Sequence, residues 1–177
     1  VSTPAVLAPT VVLGQAVLLP QYGRVDLAYT ELFQPPTPAA GAAFVHVVPG
    51  GQVEVPQSVF FSLVTNGTVV NRTVFVDYKD ESGAVVFRHL MNGSQPQSTT
   101  WNYSFILNAG GSYNVASRGI APLAFAVLAE GYAVSIGVQS LQAGDQLAGI
   151  AYTAQLIPTG PPIDSAPIEP AATPTLG

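Results

Sequence analysis

The sequence predicts an all-β fold, an antiparallel sandwich or barrel of about eight short strands. Three observations point to it. Apolar and polar residues alternate with period two from Ala43 onward. Turn signals such as Pro49-Gly50-Gly51, Asn66-Gly67, Gly110-Gly111 and Glu130-Gly131 cut this region at short intervals. No helix longer than two turns is expected after the same point.

The first segment, residues 1–42, reads as an arm and linker. Pro4, Pro9, Gly14 and Pro20 divide it into pieces too short for a helix but suited to extended chain. Val11, Val12, Leu13, Val17, Leu18 and Leu19 need apolar cover, and an arm laid on a neighbouring subunit supplies it. The alternative is that the arm completes its own sheet. Residues 22–33 suit either a short amphipathic helix or a strand, and Pro35 to Gly41 reads as a stiff linker with a domain boundary at 43.

Residues 43–157 carry the sandwich. Strands are expected over Ala43–Val48, Gln57–Thr65, Val69–Lys79, Ala84–Met91, Ser98–Asn108, Leu123–Ala129, Tyr132–Val138 and Gln146–Ile157, with Ser112–Ala116 as a weak addition. Within Val69–Lys79, one face carries Val70, Val74, Val76 and Tyr78, and the other Asn71, Thr73, Phe75, Asp77 and Lys79. Phe61, Phe75, Trp101, Tyr103 and Phe105 are the aromatic candidates for filling the space between two sheets. Trp101, Tyr103 and Phe105 alternate on one strand face, which facing outward would suit sugar stacking. Facing inward, the same residues form a core stripe. Residues 158–177 hold Pro158, Pro161, Pro162, Pro167, Pro170 and Pro174 and read as an extended tail.

Composition narrows the function classes. Five Lys+Arg against ten Asp+Glu give a net charge of -5, and only 8% of residues are charged. Arg24, Arg72, Lys79, Arg88 and Arg118 are scattered, so no basic stripe faces a row of phosphates and no nucleic acid partner is expected. No run approaches the roughly 18 apolar residues of a membrane-spanning helix. Val1 to Leu19 lacks a basic start and does not read as a signal peptide. With 48% hydrophobic residues and so few charges, part of the surface is expected to be covered by partners.

No constellation points to catalysis or to a cofactor. Cysteine is absent, and His46 and His89 show no zinc spacing. Asp77, Asp80 and Glu81 cluster near a hairpin tip without the regularly spaced oxygens of a calcium loop. G-x-S-x-G and phosphate-binding glycine motifs are missing. Four sequons, at Asn66, Asn71, Asn92 and Asn102, read as asparagines of turns and strand edges. Arg72 is the anomaly, since it shares a strand face with Val70, Val74 and Val76. A charge there needs a partner, and Asp145 or Asp26 would make it a structural clamp.

The runs V-T-N-G-T-V-V-N-R-T-V-F-V-D-Y (64–78) and P-L-A-F-A-V-L-A-E-G-Y-A-V-S-I-G-V-Q-S-L-Q-A-G-D-Q-L-A-G-I (122–150) resemble a group of bacteriophage structural proteins. The shared features are the Asn71-Arg72 step, the strand, Gly-turn, strand order after Pro122, and the Leu141 to Gln146 turn. The resemblance implies a jelly-roll sandwich built into a virion, most simply a head decoration protein clustering as a homo-oligomer, often a trimer, over joints of the major capsid protein. Similar domains also occur at head-tail joints and in tails or fibres. A carbohydrate-binding module and a small sandwich enzyme are the rival classes.

Overall fold

A computed structural model describes residues 28–159. They form β1 (Tyr29–Phe33), β2 (Phe44–Val47), β3 (Gln52–Val64), β4 (Thr73–Lys79), β5 (Val85–Leu90), β6 (Thr100–Leu107), β7 (Tyr113–Val115), β8 (Arg118–Leu123), β9 (Ala133–Gln139) and β10 (Gln146–Pro158). The larger sheet runs β1-β10-β3-β6-β8-β7, the smaller β2-β9-β4-β5. The two sheets form a sandwich. Four antiparallel pairs, β1 with β10, β2 with β9, β3 with β6 and β4 with β5, account for eight of the strands.

Period-two alternation explains the core. Val59, Phe61 and Leu63 of β3, Tyr103 and Phe105 of β6, and Leu147, Tyr152, Ala154 and Leu156 of β10 face inward from the larger sheet. Val74, Val76 and Tyr78 of β4 meet them with Val134, Ile136 and Val138 of β9. Burying each Val, Leu, Ile or Phe among them contributes about 1.5–3 kcal/mol. Trp101 is partly buried and packs on the same cluster.

The sandwich reaches past the boundary expected at 43, because Tyr29–Phe33 pairs with Tyr152–Leu156. The linker is tied down too: the Gln146 side-chain amide donates to the Pro38 carbonyl at 2.7 Å, and Gly41 N–H to the Asp145 carbonyl at 2.7 Å. Gly41 needs its glycine, with φ 74° and only 2.8 Å between a would-be Cβ and the Ala143 Cα.

Other strands shift for identifiable reasons. The strand expected over Leu123–Ala129 instead occupies Arg118–Leu123, running parallel to β6. A two-residue turn at Ala116 and Ser117, both at positive φ (47° and 66°), joins it to β7. Such turns favour Asn-Gly, so Ala-Ser gives no signal for one. Pro122 is tolerated because β7 pairs only with Arg118 to Ile120, leaving the rest of β8 an edge. Pro56 likewise lies beyond the last residue of β3 paired with β6.

Phe75 requires a correction. It is only partly buried and lies on the outer face of the smaller sheet, over Gly137, where a Cβ would collide with its ring. Alternation decides this, since Val74, Val76 and Tyr78 take the inner side. The arm residues Val11, Val12, Leu13, Val17, Leu18 and Leu19 and the tail after Thr159 lie outside the described residues.

Candidate assembly surface

The outer faces of the two sheets differ in kind. On the larger sheet, Ser58 hydrogen-bonds Thr153, and Ser62 donates to Asn102 at 2.6 Å, so Phe60 and Val64 stand among hydroxyls and amides. The smaller sheet presents exposed apolar side chains, as β7 does with Tyr113 and Val115 at one edge of the larger. Strand register sets its outer residues in rows: Leu90, Phe75 and Gly137; then Arg88, Asp77, Ser135 and Val45; then Lys79, Ala133 and Val47. Val45, Val47, Val86 and Leu90 are each at least 50% exposed.

The charges in this face are largely neutralised. Arg88 donates to Asp77 through Nε at 2.7 Å and Nη2 at 2.8 Å, and its guanidinium lies 4.0 Å from the Phe75 ring centroid. Asp77 is buried beneath them. The result is an apolar face with a paired centre, and β5, the edge strand, also exposes Val85 and Phe87.

At one end of the sandwich a buried clamp fixes the turns. The fully buried Arg72 uses all five of its donors. Nε bonds Asp145 Oδ2 at 3.0 Å, Nη2 reaches Asp145 Oδ1 at 2.9 Å and Asn66 Oδ1 at 2.7 Å, and Nη1 reaches the Thr68 and Val70 carbonyls at 2.8 and 2.5 Å. Asp145 also accepts the Asn66 and Gln142 backbone N–H groups, both at 2.8 Å. Burial works to raise the Asp145 pKa, but Arg72 and these two amides outweigh it and hold the carboxyl below the usual aspartate range. The clamp joins the β3–β4 turn to the β9–β10 turn.

A second buried polar group, not foreseen from sequence, ties the sheets together. Glu54 of β3 is fully buried. His46 Nε2 of β2 lies 3.1 and 3.0 Å from its two oxygens, Tyr152 OH donates at 3.0 Å, and the Gln52 amide at 3.2 Å. The Phe33 ring packs on both His46 and Tyr152. No linear signal marks it, since alternation sets Glu54 on the face opposite Val53 and Val55, and His46 and Tyr152 are 8 and 98 residues away. With three donors satisfied, Glu54 acts as a structural bolt.

Tyr103 and Phe105 face inward and stack on Phe61, so the aromatic row of β6 belongs to the core and offers no sugar-stacking platform. Among the described residues no three His, Asp or Glu side chains converge as metal ligands. Comparison with family models, curated proteins and solved structures finds no match.

His89 gives the site a pH dependence. It is buried between Tyr78 and Phe87, its Nδ1 accepts the Ala124 N–H at 3.3 Å, and Nε2 has no partner. Burial lowers its pKa, against the opposing pull of the Pro122 carbonyl and Asp77. The unfolded chain therefore binds the proton first, and stability is full above the unfolded histidine pKa of about 6.5 and falls as pH drops toward the lower folded value. Chemical denaturation across this window should show that decline in the native chain and a flatter profile in His89→Gln, which keeps an acceptor for Ala124. Equal slopes would remove the role assigned to His89.

Proposed function

We propose that this chain is a structural subunit of a bacteriophage particle, a jelly-roll protein that decorates the head by bridging neighbouring subunits. The observation that carries this reading is the apolar outer face of the smaller sheet, which the described residues leave uncovered, with Val45, Val47, Val86 and Leu90 exposed around a neutralised Arg88–Asp77 pair. A monomer gains nothing from such a face, whereas an assembly buries it.

Strand order supports the virion class. Leaving out β7 and β8, the sheets read β1-β10-β3-β6 and β2-β9-β4-β5, a ribbon of four antiparallel pairs wound into two layers. That order fits our jelly-roll reading, an arrangement frequent in viral capsid proteins though shared with lectins and cupins. The resemblance of residues 64–78 and 122–150 to phage structural proteins points the same way.

The occupant of the face is a neighbouring copy of the chain, which offers the apolar arm residues Val11 to Leu19 within a homo-oligomer, a trimer on the resemblance to head decoration proteins. Binding only the assembled lattice stabilises that lattice by mass action. The test is fractionation of a producing lysate on a gradient, followed by electron cryo-microscopy of the particle peak. The chain is expected with capsid-sized particles, as density on the head; recovery solely from the slow, soluble fractions would overturn the assignment.

A further inference from the structure

We propose that Asn92 is a site of spontaneous covalent modification, favoured by the fold, in which the Gly93 backbone nitrogen attacks the Asn92 side-chain carbonyl carbon. The Gly93 N–H gives up its proton, the N–Cγ bond forms, the Cγ–Nδ2 bond breaks and the side-chain nitrogen leaves as ammonia. Water then opens the cyclic succinimide to aspartate or isoaspartate. The balance is one water consumed and one ammonia released, with no oxidant, metal or partner enzyme.

The chain contains two Asn-Gly steps, Asn66-Gly67 and Asn92-Gly93, both in turns. Glycine in the second position leaves the attacking nitrogen unshielded by a Cβ, so on sequence the two sites are equivalent. The fold separates them. Asn66 Oδ1 accepts from Arg72 Nη2 at 2.7 Å and from the Thr68 N–H at 3.0 Å, while its Nδ2 lies 2.9 Å from where a Gly144 Cβ would stand. The oxygen end of that amide is held by two hydrogen bonds and its nitrogen end packs close over Gly144, so swinging Cγ onto Gly67 N would break bonds inside the buried clamp.

Asn92 has the opposite arrangement. It is exposed, and among the described residues no hydrogen bond holds its side chain, while its backbone is gripped on both sides. Its N–H donates to Ser112 Oγ at 3.0 Å, and its carbonyl accepts from Asn114 Nδ2. The acceptor is a carbonyl, which fixes the Asn114 amide with its nitrogen toward residue 92.

That donor has a chemical consequence. When the Gly93 nitrogen loses its proton, the charge spreads through the peptide group onto the Asn92 carbonyl oxygen, the atom Asn114 already contacts. A fixed donor aimed at developing charge lowers the barrier for reaching it. Asn114 is thus a positioning residue for a reaction in its neighbour. Gly93, at φ 92°, keeps the turn that allows it.

The product changes the fold locally. It adds a negative charge and, as isoaspartate, an extra backbone carbon between buried Met91 and Gly93, in the segment after β5 that Ser112 and Asn114 hold.

The test is peptide mass spectrometry of the full chain after timed incubation in mildly alkaline buffer. Asn92 is expected to convert about tenfold faster than Asn66 in the folded protein, and at an equal rate in guanidinium. Asn114→Ala should slow Asn92 several-fold, leave Asn66 unchanged and leave the circular dichroism spectrum intact. Should that variant misfold, Asn114→Ser replaces it. Equal rates at the two sites in the folded chain, or an Asn92 rate indifferent to residue 114 in a folded variant, would overturn the proposal.

Discussion

Arg72→Ala is expected to lower the unfolding free energy by about 3–5 kcal/mol, the range for breaking a buried ion pair by removing one partner. The cost is not the loss of attraction alone. Asp145 would stay buried with its charge, the Thr68 and Val70 carbonyls would lose their Arg72 donor, and the Asn66 side chain would lose one of its two. Arg72→Met, which fills more of the space, should recover only part of this because the carboxylate remains. Pairing it with Asp145→Leu removes the orphaned charge but strands the Asn66 and Gln142 amides. A double-mutant cycle read by urea denaturation should therefore give a coupling of roughly 1–3 kcal/mol. A single-mutant cost within about 0.5 kcal/mol, the range of ordinary surface substitutions, would show that the clamp is not structural.

The same clamp predicts acid lability. Asp145 is held below the usual aspartate range, so its contribution is complete above an unfolded pKa of about 4 and is lost as pH falls through the lower folded value. This window opens at about 4, whereas that of His89 opens at about 6.5, so the two declines begin at different points of one pH series.

Val47→Asp combined with Leu90→Asp is the substitution expected to act most strongly on assembly and least on folding. Both side chains are more than half exposed and point away from the core, so the isolated sandwich loses little. In an association that covers the face, each change removes a buried apolar side chain and inserts a carboxylate with no partner. Even ~3 kcal/mol in total corresponds to roughly a hundredfold weaker association. Lowering the unfolding free energy by a comparable amount would instead mean that these residues belong to the core of the fold.

Much of this architecture is legible in the sequence, for physical reasons. Strict alternation in β4 and β9 requires two faces, and turn residues bound most strands within a few positions. The anomaly of Arg72 among valines is also legible, because a charge on an inward face demands a partner, and Asp145 of the Leu141 to Gln146 turn supplies it. Phe75 faces outward against the expectation of a core aromatic, and its parity with Asp77 and Lys79 is the residue pattern that says so. The β7–β8 hairpin stays hidden because Ala116 and Ser117 adopt a turn backbone their side chains do not favour. Glu54, His46 and Tyr152 come together only through pairing of distant strands, which a linear pattern cannot show. The apolar outer face is hidden for the same reason: Val45, Val47 and Leu90 belong to different strands and become one surface only when β2, β9, β4 and β5 take their order.

Sedimentation velocity on the full chain over a concentration series, beside the Val47→Asp, Leu90→Asp variant, tests the claim that this face drives association. The native chain should sediment as an oligomer whose population grows with concentration, and the variant as a folded monomer of unchanged circular dichroism. A native chain that remains monomeric throughout, or a variant that associates as well as the native one, would contradict it.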